Sequence, residues 1–253
     1  MTFMTRILLC GCNGKMGRTI AACAAKRDDC KIVAGVDINT TPCDDFPVFN
    51  TPKECTVPID VIIDFSHPSC LDGVLQYATE NHVPAVIATT GLSDEQHIKI
   101  QNAAEKTPLF SSANMSLGVS LLTELVKKAA EILGGMFDIE IIEKHHNQKI
   151  DAPSGTALLL AESVKEGLSY EPRYVYDRES VREKRDPHDI GISSVRGGTI
   201  VGEHDVIFAG HDEYVTLSHT ALSKDIFAVG ALNAALFLTK QPNGYYTMKD
   251  LME

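Results

Sequence analysis

RILLCGCNGKMGRTIAACAAKRDDCKIVAGVD, residues 6–37, decides the fold. It opens on a short apolar run ending at Cys10, which reads as a buried strand stopped by glycine. The turn that follows, Gly11-Cys12-Asn13-Gly14-Lys15-Met16-Gly17, spaces its glycines as G-x-x-G-x-x-G. Met16 to Lys26 is an alanine-rich helix, Lys31 to Val36 is a second strand, and Asp37 ends that strand 20 residues after Gly17. A sharp turn that opens a helix aims backbone N–H groups at a pyrophosphate, and an acid at the end of the second strand is placed to accept ribose hydroxyls. The spacing departs from the usual G-x-G-x-x-G, and a glycine turn taken alone reads equally as an ordinary tight turn with Asp37 as a cap. Strand, turn, helix, strand and acid together point to a dinucleotide site.

Working outward, the same alternation continues. Asp60 to Phe65 reads as a strand, followed by a helix from about Ser69 to Asn81. Ala85 to Ala88 is a fourth strand, and Ser93 and Gln96 have the capping-box spacing for a helix running to about Lys106. Leu109 to Ser112 is a fifth strand. Strands alternating with helices predict a parallel, doubly wound, Rossmann-like sheet. The loops Thr89-Thr90-Gly91 and Ala113-Asn114-Met115-Ser116 follow the fourth and fifth strands, where ligands of open α/β sheets bind.

The pattern then changes. Leu117 to Leu133 is a long amphipathic helix stopped by Gly134-Gly135. Phe137 to Lys144 is a strand, and a helix runs from about Thr156 to Glu166. The charge-rich stretch Glu171 to Asp189 reads as a solvated loop. Three strand-like runs follow, Ile190 to Arg196, Thr199 to Phe208 and Glu213 to Thr220, and without helices between them they predict a mixed or antiparallel sheet. Lys224 to Thr239 is a final apolar helix expected to return to the first domain. The expected class is α/β, with residues 1–116 and 224–253 forming the dinucleotide-binding domain. Residues 117–223 form a smaller α+β domain for substrate and oligomerisation.

Bulk properties exclude several functions. The chain has 253 residues, 44% hydrophobic and 23% charged, with a formal net charge of -11. So acidic a chain is unsuited to nucleic acid or an anionic membrane surface. No apolar run reaches the length of a bilayer span, and the N-terminal run is too short for a secretory leader. The seven cysteines, Cys10, Cys12, Cys23, Cys30, Cys43, Cys55 and Cys70, form no C-x-x-C pair. An odd set of this kind reads as reduced cytosolic thiols, and Cys10 with Cys12 reads as packing at a strand end rather than as a metal site.

The densest polar cluster is EKHHNQKIDAPSGT, residues 143–156. Adjacent histidines at a strand end offer a proton donor near neutral pH, and Lys149 offers a fixed positive charge. Ser154-Gly155-Thr156 place N–H groups at a helix start, where a carboxylate is held well. An acidic protein can thus bind an anion through a local positive potential. Each feature has a plainer reading: surface histidines, or a helix cap at Ser154 or Thr156. Zinc is disfavoured, because only two histidines cluster and no cysteine lies near. His204, His211 and His219 read as structural.

GCNGKMG at 11–17, DFSHP at 64–68, TTG at 89–91, SANMSLGV at 112–119 and HHNQKIDAPSGTA at 145–157 resemble the signatures of the 4-hydroxy-tetrahydrodipicolinate reductases. RGG at 196–198, GEH at 202–204, FAG at 208–210 and FAVGA at 227–231 fit as well, so the resemblance spans nearly the whole chain in order. It implies NADH- or NADPH-dependent reduction of a small cyclic dicarboxylate in diaminopimelate and lysine biosynthesis, in the cytoplasm, by a homotetramer without metal. Hydride would go to the ring, and a proton would complete the enamine-like intermediate. By resemblance His145 is the proton donor and Lys149 a second essential group, with His146, Gly155 and Thr156 binding substrate. Gly11, Cys12, Asn13, Gly14, Lys15, Met16, Asp37, Thr89, Thr90, Gly91, Ser112, Ala113, Asn114 and Met115 resemble the cofactor contacts.

Three positions depart from the pattern of relatives. Asp37 is followed by Ile38 rather than arginine, Met115 stands where phenylalanine is frequent, and Lys224 where arginine is. The first leads to an expected NADH preference. The two ligands draw on different halves of the chain, so domain closure is expected during reaction. Two other readings compete. One is another two-domain NAD(P)-dependent oxidoreductase of amino or keto acids, which leaves the 145–156 loop unexplained. The other is a non-catalytic dinucleotide sensor, which would bind NADH without turnover.

Overall fold

The computed structural model describes residues 4–42 and 44–252, so Cys43 and the ends of the expected first domain lie outside the described residues. The chain divides into two compact units, Met1–Leu117 with Lys224–Glu253, and Gly118–Ser223.

The first unit is a seven-stranded sheet in the order β12-β6-β5-β4-β1-β2-β3. Its strands are β1 (Thr5–Cys10), β2 (Cys30–Val36), β3 (Val48–Phe49), β4 (Val61–Asp64), β5 (Ala85–Ile87), β6 (Pro108–Ser111) and β12 (Gly244–Tyr246). Every pairing is parallel. The central strands are buried along their length, as strands covered on both faces must be. On one face α1 (Lys15–Ala24) and α6 (Asp225–Leu238) pack over Ile7, Leu9 and Ile63. On the other, α2 (Leu71–Asn81) and α3 (Asp94–Ala104) cover Leu8, Ile62 and Leu109. Helix α6 is apolar nearly all round and packs within this unit. The capping box is formed: Ser93 N–H donates to Gln96 Oε1 at 3.0 Å, and Gln96 N–H donates to Ser93 Oγ at 3.3 Å.

The second unit contains α4 (Leu117–Leu133), α5 (Gly155–Gly167) and a mixed sheet in the order β11-β10-β7-β9-β8. Strand β7 (Asp138–His145) runs antiparallel to β10 (Gly202–Ala209) and parallel to β9 (Asp189–Arg196). Strands β11 (Tyr214–Ala221) and β8 (Arg173–Val175) close the edges. Alternation along β7 sends Ile139, Ile141, Glu143 and His145 to one buried face against α4 and α5. Glu143 and His145 therefore sit side by side in the interior because they are two residues apart.

Three short strands were not expected from the sequence. Two- and three-residue segments such as β3 and β12 carry too little alternation to register, and they exist because a neighbouring strand edge pairs them. The third, β8, lies within Glu171 to Asp189, which is otherwise the exposed, irregular loop that the sequence predicts, with half-buried Arg185 and buried Asp189 as its exceptions. Arg185 is only 18% exposed there, and pairs with Asp138 at 2.9 Å and Glu140 at 3.1 Å. Arg173 pairs at 2.8 Å with Asp189, which is 2% exposed. Arg185 thus finds its partners on β7, 45 and 47 positions away, and Arg173 finds its own on β9, 16 positions away, which composition cannot reveal.

Candidate active site

In the first unit the glycine turn is dictated by close approach. Gly11 has φ +77°, and a Cβ there would stand 2.5 Å from the Phe65 carbonyl oxygen. A Cβ on Gly17 would overlap the Gly11 carbonyl oxygen and stand 2.6 Å from that of Cys12. Gly14 is the extended N-cap of α1 and offers no side-chain cap, so the first-turn N–H groups point to an anion unobstructed. Gly17→Ala is expected to weaken NADH binding at least about tenfold and to lower Tm by several degrees, since overpacking against backbone costs about 1–3 kcal/mol. A fluorescence titration that returns the parent affinity would remove the turn from the cofactor site.

Gly11, Gly14, Lys15 and Met16 line one open cavity of ≈ 400 Å³ together with Thr89, Thr90, Ala113 and Met115. Asp37 lines a second cavity of ≈ 420 Å³ beside Ile38, and Gly11 and Ser66 border both. The two cavities flank the glycine turn, one beside Lys15 and Met16 and the other beside Asp37, an arrangement and donor set that fit an extended dinucleotide. Asp37 is already oriented, its two oxygens accepting the N–H groups of Asn13 at 3.0 Å and Asn39 at 3.2 Å. The Asn13 amide ties the turn to the loop after β2 through the Asn39 and Thr41 carbonyls. Cys12 buries its side chain against Gly35 and lies outside the lining of both cavities.

Gly91, with φ +76°, Ser112 and Asn114 shape their loops from outside the cavity lining. The Ser112 hydroxyl donates to the Asn114 carbonyl and accepts its N–H, and Asn114 Oδ1 accepts Ser116 N–H. Sequence reasoning missed three contributors. Asp64 is fully buried and receives the hydroxyls of Ser66 and Thr89, at 2.5 and 2.7 Å, which joins the loops after β4 and β5. Burial raises its pKa, and those two hydroxyls offset the rise only in part. Phe227 lines the first cavity from α6, and Gly230 lets that helix approach so closely that a Cβ would overlap the Met115 carbonyl. The signal for all three lay in DFSHP and FAVGA, motifs without an obvious charge pattern.

In the second unit Glu143 is fully buried and His145 nearly so. Glu143 Oε2 lies 2.6 Å from His145 Nδ1, and Oε1 accepts Ser154 N–H at 3.2 Å. The Arg196 guanidinium closes a two-pronged pair on both oxygens, at 2.6 and 2.8 Å. Burial pushes the Glu143 carboxyl up, but Arg196, Ser194 and His145 outweigh it and hold it at about 2. His204 packs edge-on against His145 at 5.2 Å, with its Nε2 3.0 Å from Ser154 Oγ. Burial, then repulsion from His145, lowers His204 to about 4, so it is neutral near pH 7.

Ser154 is the N-cap of α5, its Oγ accepting Ala157 N–H at 3.1 Å. The plainer reading of Ser154 as a cap thus holds, and it leaves the exposed Gly155 and half-buried Thr156 at the open helix end. No side chain fills the space at the Gly155 Cβ position. His146 is half-buried, and its carbonyl accepts Lys149 N–H at 3.1 Å. Lys149 is not a bare charge: its Nζ is 2.8 Å from Asp151 Oδ1. His219 stands opposite His204 on β11, whereas His211 is 97% exposed beside Asp212. Glu143, Arg196 and His204 carry this cluster; the sequence reading gives His204 a structural part and singles out neither Glu143 nor Arg196.

Comparison with known proteins gives the same picture throughout. Residues 5–115 match the family model described as dihydrodipicolinate reductase, N-terminus, and residues 118–252 match the corresponding C-terminus. A 4-hydroxy-tetrahydrodipicolinate reductase of Caldanaerobacter subterraneus subsp. tengcongensis is 51% identical over 250 residues, with 99% of each chain covered. One from Clostridium tetani is 49% identical, covering 97% of this chain and 96% of its own. Among solved structures, a dipicolinate-bound dihydrodipicolinate reductase from Paenisporosarcina sp. TG-14 superimposes with a TM-score of 0.82 at 26% identity, covering 97% and 98% of the two chains.

Proposed function

The chain belongs to the dihydrodipicolinate reductase family, and on that premise we propose that His145 is the proton donor of its reaction. The protein is an oxidoreductase that reduces 4-hydroxy-tetrahydrodipicolinate to tetrahydrodipicolinate with NAD(P)H, a step of diaminopimelate and lysine biosynthesis. Substrate, NAD(P)H and a proton become tetrahydrodipicolinate, NAD(P)+ and water. A bound reduced nicotinamide supplies the hydride. The glycine turn and α1 hold the pyrophosphate, and Asp37 accepts the ribose hydroxyls. The open N-terminus of α5 and the Lys149 ammonium hold the carboxylates of the ring, and His145 delivers the proton that the hydride-reduced ring requires.

The observation that carries this reading is the placement of the His145 imidazole beside a helix N-terminus whose cap serine shares its carboxylate partner. The test is NADH oxidation on freshly generated cyclic substrate. Binding of NADH without turnover would instead identify a sensor.

The expected cofactor preference is for NADH. The 2′-phosphate of NADPH would sit beside the Asp37 carboxylate. Ile38, 91% exposed, brings no compensating charge, and Arg18 is engaged at 3.1 Å with the Asn13 carbonyl. The repulsion at a solvated site is about 1 kcal/mol, so kcat/KM should favour NADH roughly fivefold at low salt and less as ionic strength rises. A clear NADPH preference would overturn this, and Lys15→Ala and Arg18→Ala would then locate the phosphate contact. We further propose that the enzyme works in the cytoplasm as a homotetramer joined through the five-stranded sheet. The exposed Val195, Tyr214 and Val215 on its strands support that surface, and light scattering reads the mass directly.

A further inference from the structure

We infer that Glu143, held by Arg196, is the positioning residue that sets both the orientation and the charge of His145 and keeps that ring in register with the anion-binding end of α5. The inference rests on the reading of His145 as proton donor.

The geometry begins with the tautomer. The Glu143 carboxylate has only acceptors, so the proton between it and His145 belongs to Nδ1. Nε2 is then the nitrogen that gains and loses the mobile proton. A Cβ at Gly202 would stand 3.1 Å from Nε2, so glycine at that position leaves this nitrogen uncrowded. The other oxygen of the same carboxylate holds Ser154 N–H, which is the N-cap of α5. One buried side chain therefore connects the proton donor to the turn that receives a carboxylate. Arg196 fixes that side chain at both oxygens and reaches on to the Asp151 carbonyl at 2.7 Å. A fork of this kind removes the rotational freedom that a lone glutamate would keep.

The charges facing His145 come from every element around it. Strand β7 brings Glu143, β9 brings Arg196, β10 brings His204, and β11 brings His219 behind it. The loop before α5 brings Lys149, paired with Asp151. His204 is neutral in the working range and contributes no charge. Among these, the carboxylate 2.6 Å away favours the imidazolium, and the guanidinium behind it opposes. Glu143 contacts His145 directly while Arg196 touches only the far side of the same carboxylate, so the two charges act on the imidazolium in opposite senses, the nearer one through a hydrogen bond.

Opposite changes in that balance test the inference. Glu143→Gln removes the near negative charge and leaves the Arg196 cation. The imidazolium is destabilised, so the alkaline limb of the kcat profile should move down by about one pH unit or more. The imidazole titration followed by NMR should move with it. In the double variant Glu143→Gln/Arg196→Met the opposing cation is also gone, and the limb should lie between those of the single variant and the parent. Arg196→Lys keeps the charge and should leave the limb near the parent position, with kcat reduced because the fork is lost.

NADH affinity, which depends on the other unit, should stay at the parent value, and parent-like near-UV circular dichroism with a single cooperative thermal transition shows that the substituted unit is folded. If the single variant does not fold because Arg196 is stranded, the double variant carries the test, since it leaves no unpaired buried charge. A limb that stays in place in a folded variant would overturn the inference and reduce Glu143 to a packing role. That failure is distinct from failure of the donor reading, which is decided by His145→Gln alone.

Discussion

His145→Gln is expected to lower kcat by about 10²- to 10⁴-fold, the usual range for losing a general acid, with NADH affinity unchanged. Glutamine has a similar reach and keeps a donor toward Glu143, so the buried carboxylate is not stranded. What it cannot do is carry an exchangeable proton near neutral pH. The loss should therefore fall on kcat more than on KM, and the pH dependence assigned to the imidazole should vanish with it. Stopped-flow oxidation of NADH on fresh substrate measures both quantities. Parent-like turnover in a folded variant would exclude His145 as the donor.

The second large effect belongs to Lys149. Its ammonium is only 20% exposed and rests on Asp151, whose carboxyl it holds below the ordinary range. A dianionic ring arriving at the α5 N-terminus competes for that ammonium. Lys149→Ala removes the cation and leaves Asp151, which turns a neutral pair into a net charge of about -1 at the place where an anion must settle. A lost charge-assisted contact costs about 1.5–3 kcal/mol, and the unopposed Asp151 adds repulsion. The expected result is a fall in kcat/KM of at least about 10²-fold, shared between KM and kcat because the same contact orients the ring. Lys149→Ala/Asp151→Asn should recover part of the KM loss. Substrate affinity and salt dependence equal to the parent's would show that Lys149 serves only the loop.

Much of the fold was legible along the chain because its signals are local. The capping box at Ser93 and Gln96 and the glycine turn at 11–17 each need only a few adjacent residues. The long helix at 117–133 announces itself by its own period. The strands β1, β4, β5 and β6 are short apolar runs because a parallel sheet buries both faces. The weaker readings were those that depend on partners. Strands β3, β8 and β12 form only because an edge is there to receive them, and Arg185 within 171–189 looked solvated because its partners lie on β7.

The same division holds for the chemistry. The sequence by itself determined the family, the residue types of the dinucleotide turn, and the loop from His145 to Thr156. Those signatures are contiguous, and the chemistry demands particular side chains there. Tertiary structure alone decided what surrounds the imidazole. Glu143 is two residues from His145, and strand alternation turns both to the interior. Arg196 is more than 50 residues away, Ser154 belongs to the next helix, and His204 comes from an antiparallel neighbour. Ionisation in a protein interior depends on burial and on charges a few ångströms distant, and both are set by which strands lie side by side rather than by which residues follow one another.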